Sequence, residues 1–235
     1  MKTRKFAVAI ATFASAALLA ACGNVSTTNT SAAGSTVGET FKIGYNLELS
    51  GAVSSYGQTE ENGANLAVKE INAAGGIDGK KIEVITKDNK SETAEAATVA
   101  TSLASEGANV VIGPATSGAS AASIPALTSA GVPMISPSGT QTNLVENDKG
   151  EVQEYFFRTT FTDGYQGEIM AKYATENFSA KKVVLYFDNS SDYGKGVAEA
   201  FKKAYTGEIV SEITFASGDK DFQAALTKLK DKEFD

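Results

Sequence analysis

The 235-residue sequence contains no histidine, no tryptophan, one cysteine and four prolines. Without histidine the chain can form neither a Ser-His-Asp nor a Cys-His catalytic set, and it has no histidine metal site. A single cysteine allows no disulfide within the chain and no cysteine-based metal site. Phosphate-binding glycine patterns are missing too, because no G-x-G-x-x-G follows a predicted strand and no G-x-x-x-x-G-K-[ST] occurs. These absences favour a protein that binds over one that catalyses.

Charge excludes a further class of partner. The chain carries 21 Lys and Arg against 28 Asp and Glu, a formal net charge of −7. Because the acidic excess is spread along the chain, it favours solubility and argues against a nucleic-acid partner. We expect no cofactor and no bound metal.

The first 22 residues have the composition of an export leader. Lys2, Arg4 and Lys5 precede an apolar run over 6–21, which is shorter than a membrane-spanning helix requires. The run ends in Leu-Ala-Ala-Cys, which resembles the lipobox of bacterial lipoproteins. We therefore predict a signal peptide over 1–21, lipidation of Cys22, and anchoring to the outer face of the cytoplasmic membrane. The alternative is a plain secretory peptide that leaves Cys22 as a free thiol.

Residues 22–39 are rich in Ser, Thr, Asn, Ala and Gly, so they predict a flexible linker that buries little apolar surface. From residue 41 onwards, short apolar runs alternate with amphipathic ones. This alternation predicts a parallel sheet covered by helices, an α/β doubly wound architecture. Strands are predicted at 41–47, 81–86, 110–112, 132–135, 155–158, 182–187 and 208–215. Helices are predicted at 58–73, 92–105, 118–129, 165–177, 196–205 and 222–230.

The alternation is interrupted once, over the turn-rich stretch 136–160, which we interpret as a crossing between two lobes. The prediction is an N-terminal ligand-binding lobe over 40–160 and an incomplete C-terminal lobe over 161–235. Only two clear strands fall in the second lobe, and Phe234 would open the next one. We therefore expect the sequence to be the N-terminal fragment of a longer protein.

Four loops that follow predicted strands share an unusual composition. In open parallel sheets ligands bind outside the carboxyl ends of the strands, where helices begin. Hydroxyl groups, small residues and free N–H groups at helix starts can together hold a small anion such as a carboxylate. The alternative is that these residues only cap helices and form turns. The loops lie at 49–57, 113–118, 136–140 and 188–194.

Acid-base chemistry by carboxylates is the remaining enzymatic possibility. Asp88, Glu92, Asp188 and Asp192 lie near predicted strand ends and could exchange protons with a substrate. Helix caps and solvated surface explain the same four residues more simply. We therefore predict no enzymatic activity.

The folded part resembles the leucine/isoleucine/valine-binding proteins of ABC transporters, from about residue 41 to the end. The segment Ala67–Gly79, AVKEINAAGGIDG, is close to the most recognisable signature of that family. The lipoprotein leader is what Gram-positive members carry. The other matching motifs are FKIG at 41–44, LSG at 49–51, YG at 56–57, VIGP at 111–114, ISPSGT at 135–140, FRTT at 157–160, DYG at 192–194 and DKDF at 219–222.

The resemblance implies a type I periplasmic-binding-protein fold, in which two α/β lobes close on an amino acid. It implies delivery of leucine, isoleucine or valine to the permease subunits of an ABC importer. A sensor of the same fold, for amides or other small solutes, is the alternative. The ligand-binding positions that the resemblance implies are Tyr56, Thr116, Ser117, Ser138, Gly139, Thr140 and Tyr193.

Within this set, the hydroxyls and amides of 138–140 are expected to hold the ligand carboxylate. Tyr56 is expected to pack on the ligand side chain, and Tyr193 to reach over from the second lobe. The acidic residue with which the family pairs the ligand ammonium falls after Asp235. Weak or absent amino-acid binding is therefore expected of this chain alone, because an unpaired buried charge is costly.

Overall fold

The computed structural model describes residues 37–147 and 149–235. The predicted leader, Cys22 and most of the predicted linker lie outside the described residues. Within the described residues, no helix combines the length and the apolar character that crossing a bilayer requires.

The first part of the chain forms a five-stranded parallel sheet with the order β2-β1-β3-β4-β5. Because β2 and β3 lie on opposite sides of β1, the winding of the sheet reverses between β1 and β3. Such a reversal opens a crevice at the carboxyl ends of the two strands. The strands are β1 (Phe41–Leu47), β2 (Ile82–Asp88), β3 (Val110–Ile112), β4 (Met134–Ser136) and β5 (Phe156–Arg158).

Helices cover both faces of this sheet. On one face α1 (Ser54–Ala73) packs Ala64 and Val68 against a cluster that includes the buried Tyr45. On the other face α2 (Thr93–Ser105) and α3 (Ser117–Ala130) form the larger core with β3, β4 and β5. Leu103 in α2 and Leu127 in α3 are fully buried there. This core therefore fixes the two helices, and with them the loops that lead into the helices.

The second part of the chain forms a two-stranded parallel sheet of β6 (Lys182–Asp188) and β7 (Glu208–Phe215). It is accompanied by α4 (Asp163–Phe178), α5 (Asp192–Ala204) and the short α6 (Gln223–Thr227). Helices α4 and α5 approach closely at Gly167, where a Cβ atom would lie 2.5 Å from the Cβ of Ala200.

The α/β architecture and the parallel strand order confirm the sequence prediction, but two kinds of boundary were wrong. Helices α1 and α5 each begin four residues earlier than predicted, at Ser54 and Asp192. Their first turns carry Ser, Tyr and Gly in place of an apolar stripe, so periodicity does not reveal them. Helix α6 spans only 223–227 because it buries no residue, and short helices need tertiary packing. The lobe boundary at residue 160 stays a prediction.

Candidate ligand-binding site at the strand ends

The loops after β1, β3 and β4 meet at one edge of the first sheet. The β1 loop leads into α1, the β3 loop into α3, and the β4 loop into a single 3₁₀ turn over Thr142–Leu144. Hydrogen bonds connect these loops directly to one another. Five of the seven predicted ligand residues, Thr116, Ser117, Ser138, Gly139 and Thr140, belong to this network.

A fully buried glutamate organises the β3 loop. Glu48 follows β1 and is 0% exposed. Its carboxylate accepts hydrogen bonds from the backbone N–H of Ala115 at 3.0 Å and of Thr116 at 3.1 Å. It also accepts the hydroxyl hydrogen of Thr116 at 2.9 Å. The negative charge therefore lies at the start of α3, where the helix dipole stabilises it.

Ser117 ties the β3 loop to the β4 loop. Its hydroxyl oxygen accepts the backbone N–H groups of Thr140 and Gln141, both at 3.2 Å. The N–H of Gly139 donates to the Ser136 hydroxyl at 2.9 Å, and that hydroxyl donates to the Pro114 carbonyl at 2.6 Å. Of the amides that the sequence assigned to a ligand carboxylate, those of Gly139 and Thr140 therefore bond within the protein in this structure.

Glu60 reaches the same site from α1, one helical turn after Tyr56. Its Oε1 atom lies 2.5 Å from the hydroxyl of Ser138, which also lies 2.9 Å from the Ala115 carbonyl oxygen. Burial raises the pKa of Glu60 to about 7; the Ser138 hydrogen bond opposes this shift, and the charge of Glu48 adds to it. The other carboxyl oxygen, Oε2, is buried and has no hydrogen-bond partner among the described residues.

Arg158, at the end of β5, holds the β4 loop from the other side. Its guanidinium donates to the carbonyl oxygens of Gln141 at 2.8 Å, Thr142 at 3.3 Å and Gly139 at 3.4 Å. Partial burial lowers the pKa of Arg158, and the nearby Asp163 carboxylate opposes that shift. The backbone of the loop is thus braced by one cation that contacts three carbonyl groups.

Asp88, at the end of β2, braces the loop that leads to Tyr56. Its Oδ1 atom accepts the N–H groups of Leu49, Ser50 and Lys90 at 3.0, 3.1 and 2.8 Å. Its Oδ2 atom accepts the Ser50 hydroxyl at 2.6 Å. Although desolvation acts in the opposite direction, these hydrogen bonds lower the pKa of Asp88. Tyr56 itself is 60% exposed, so its ring is available to a ligand.

The second sheet contributes Tyr193 from the first turn of α5. Its hydroxyl accepts the side-chain amide of Gln166 at 2.8 Å, and the residue is 44% exposed. The neighbouring Asp192 lies against the start of α3, because a Cβ atom on Gly118 would be 3.8 Å from its Oδ2. Tyr193 is therefore near the β3 loop, but no hydrogen bond joins its side chain to the other predicted residues.

Two cavities lie near α4 and α5, and none of the predicted ligand residues lines either of them. One, of about 750 Å³, includes Arg158, Asp163 and Lys195 in its wall. Asp163 is 1% exposed, and its carboxyl oxygens have no hydrogen-bond partner among the described residues. Burial raises its pKa, and the Arg158 charge opposes the shift.

Sequence reasoning missed the two glutamates that organise the site, Glu48 and Glu60. An acidic residue in an amphipathic helix is usually solvated, so Glu60 carried no signal of its own. Glu48 did carry a sequence signal, because it lies between Leu47 and Leu49 at the end of an apolar strand. A charge in such a place must find buried partners, and here it finds the start of α3.

Comparison with known proteins places these features in a family. The model of the periplasmic binding protein family matches residues 40–235. Among curated proteins, the Leu/Ile/Val-binding protein BraC3 of Rhizobium johnstonii is 35% identical over 196 residues, covering 82% of this chain and 52% of BraC3. The chain thus spans about half the length of the curated relatives it matches.

Solved structures agree in fold. The branched-chain amino acid transporter substrate-binding protein LivJ of Streptococcus pneumoniae, in complex with isoleucine, is 59% identical with a TM-score of 0.78. The match covers 83% of this chain and 55% of LivJ. A Rhodopseudomonas palustris solute-binding protein in complex with 3,4-dihydroxy benzoic acid is 29% identical with a TM-score of 0.72, covering 83% of this chain and 52% of that protein. These similarities confirm the type I periplasmic-binding-protein fold, and the chain belongs to the periplasmic binding protein family.

Proposed function

We propose that this chain captures leucine, isoleucine or valine outside the cytoplasm and serves an ABC importer. The observation that carries the proposal is the network at the strand ends, where loops after β1, β3 and β4 converge with hydroxyl and amide groups. Its relatives support the ligand class, since BraC3 is named a Leu/Ile/Val-binding protein and LivJ was solved with isoleucine. The family consists of binding proteins, so no reaction is assigned. Delivery to permease subunits is part of the proposal.

The proposed ligand lies between the start of α3 and the β4 loop. Ser117 is 5% exposed, and its hydroxyl carries a hydrogen that can be donated to a carboxylate. The positive end of the α3 dipole favours the same carboxylate. Tyr56 packs against the aliphatic side chain, and Tyr193 contacts the ligand from the other sheet. Thr116, Ser138, Gly139 and Thr140 complete the proposed contact set.

The proposal is tested by amide NMR on the isotope-labelled 235-residue chain in mild detergent. Each of the L-amino acids is added at millimolar concentration, because a chain half as long as its relatives is expected to bind weakly. Selective shifts at Thr116, Ser117, Gly139 and Thr140 with leucine, isoleucine and valine are expected. Shifts elsewhere, or equal shifts with every amino acid, would contradict the proposal.

We propose also that the chain is a lipoprotein attached through Cys22, in the manner of Gram-positive members of the family. The LAAC motif that follows an apolar run supports this proposal. Labelling with an alkyne fatty acid in a bacterial host should mark the wild-type chain and not the Cys22→Ala variant. Ser26→Ala is the matched control and should label normally. Equal labelling of the wild type and of Cys22→Ala would exclude lipidation at this residue.

A further inference from the structure

The fully buried Glu48 and the half-buried Glu60 contact hydroxyl groups of the proposed ligand site, and the ligand contacts proposed above use neither. Glu60 contacts the Ser138 hydroxyl at 2.5 Å, and Glu48 accepts the Thr116 hydroxyl at 2.9 Å. The Glu60 contact holds the loop after β4, and the Glu48 contact holds the loop after β3. The two carboxyl groups therefore decide in which direction these hydroxyls can bond to a ligand.

The hydrogen of Ser138 points into the protein whichever form Glu60 takes. A serine hydroxyl has one hydrogen and two lone pairs. If Glu60 is ionised, Ser138 donates to its Oε1 atom at 2.5 Å. If Glu60 is protonated, it donates to Ser138, and Ser138 donates to the Ala115 carbonyl at 2.9 Å. In both forms Ser138 can offer a ligand only a lone pair.

The hydroxyls of Thr116 and Ser117 differ in what they can offer a ligand. The Thr116 hydroxyl donates to Glu48, so it too can only accept from a ligand. The Ser117 oxygen accepts two backbone N–H groups, and its own hydrogen bonds to no acceptor among the described residues. The site therefore presents acceptors at Thr116 and Ser138 and a donor at Ser117.

We propose that Glu60 is a positioning residue for ligand selection. Glu60 keeps the Ser138 hydroxyl an acceptor and places its own carboxyl group next to that hydroxyl. Both features make the site prefer an α-amino acid over the α-keto acid of the same skeleton. The inference rests on the proposed function, and it reassigns Ser138 from the ligand carboxylate to the ligand ammonium. An ammonium donates to Ser138, whereas a keto oxygen has no hydrogen to donate and meets a lone pair.

Glu60 also makes the preference depend on pH. The groups that face it are the Ser138 hydroxyl, the Ala115 carbonyl and the Glu48 carboxylate, and no cation of the described residues forms an ion pair with it. With its pKa raised to about 7, Glu60 ionises near neutral pH. Ionisation attracts the ammonium of an amino acid and repels the anionic keto acid. Affinity for leucine should rise with pH, and affinity for the keto acid should fall.

The test compares L-leucine with 4-methyl-2-oxopentanoate, both titrated into the labelled 235-residue chain and followed at the amides of Gly139 and Thr140. Between about pH 6 and about pH 8, the wild-type preference for leucine over the keto acid should rise, by up to about tenfold. Glu60→Gln should remove this pH trend and lower the preference for leucine about tenfold. Ser138→Ala should weaken leucine and leave the keto acid unchanged or improved. Glu70→Gln, on the exposed surface of α1, is the matched control and should behave as wild type.

The outcomes separate the two proposals. If wild type and Glu60→Gln share one pH trend and one preference while leucine still binds, the inference is wrong and the proposed function stands. If neither ligand shifts the Gly139 and Thr140 amides, the inference is wrong for this chain, whereas the proposed function is not contradicted, because weak or absent binding is expected of a chain half as long as its relatives. If Glu60→Gln does not fold by its amide spectrum, Ser138→Ala decides, and an unchanged preference in that variant contradicts the inference.

Discussion

At the scale of single residues, carboxylates brace the loops of the site, and one of them, Glu48, is fully buried. Glu48 is enclosed in protein and satisfies two backbone N–H groups and one hydroxyl. A neutral amide at this position would have to turn an N–H₂ group toward at least one backbone donor. Because a buried donor without an acceptor costs free energy, the structure depends on the carboxylate here.

Glu48→Gln should therefore lower the free energy of unfolding by about 1–3 kcal/mol. Urea unfolding followed by circular dichroism measures this change. Glu70→Gln makes the same substitution on the exposed surface of α1, and there the free energy of unfolding should stay within about 0.5 kcal/mol of wild type. Equal effects of the two variants would show that the contacts of Glu48 contribute little to stability.

Asp88 should make stability depend on acid pH. Its pKa is lowered in the folded chain, so its stabilising contribution is present above the ordinary aspartate pKa of about 3.9 and is lost as pH falls through the folded value. Asp88→Asn removes the titration, so the melting temperature should fall less steeply than in wild type between pH about 5 and about 2. Parallel melting curves across this range would assign the acid sensitivity to other carboxylates.

At the scale of elements, close contacts require glycine inside a helix. Gly57 lies in the first turns of α1, and a Cβ atom there would come within 2.4 Å of the Glu48 carbonyl oxygen. This approach brings α1 against the loop after β1, at the residue that follows Tyr56 in the chain. Gly63 lies in the same helix, and no atom lies within 4 Å of the Cβ position there.

The two glycines should respond oppositely to alanine. Gly63→Ala should stabilise the chain by about 0.5–1 kcal/mol, because alanine favours the helix and meets no obstacle. Gly57→Ala should destabilise it by about 1–3 kcal/mol, because the helix must move away from backbone atoms that cannot rotate aside. Chemical unfolding of both variants measures the difference. Stabilisation by Gly57→Ala would mean that α1 shifts without cost.

The same elements show what the sequence could predict. Apolar runs such as Val110–Ile112 gave the strands, because a buried parallel strand needs little else. The loops after them could be expected to carry the site, because parallel strands end at one edge. The first turns of α1 and α5 were missed, since Gly57 and Gly194 there are required by contacts outside the helix, with the carbonyl oxygens of Glu48 and Asp188, and not by helix propensity. Glu60 was missed for the same reason, because its neighbour Ser138 is 78 residues away in the chain.

At the scale of the whole molecule, the second sheet is the less covered part of the fold. Among the described residues, strands β6 and β7 pair with each other and with no further strand, and the N–H of Asp235 donates to the Lys182 carbonyl at 2.9 Å. Beside them, α4 exposes an apolar face formed by Tyr165, Ile169, Met170, Tyr173 and Phe178, each at least 43% exposed. Open strand edges and exposed apolar patches both favour association between copies.

The chain should therefore self-associate reversibly as its concentration rises, and a charge on the α4 face should oppose this. Met170→Lys places a cation in the middle of that face, on a helix where lysine is tolerated as well as methionine. Sedimentation velocity over a range of concentrations should show a larger monomer fraction for this variant than for wild type. Leu66→Lys, on the exposed surface of α1, is the matched control and should associate as wild type does. If Leu66→Lys and Met170→Lys reduce association equally, added charge is the cause and the α4 face is not the contact.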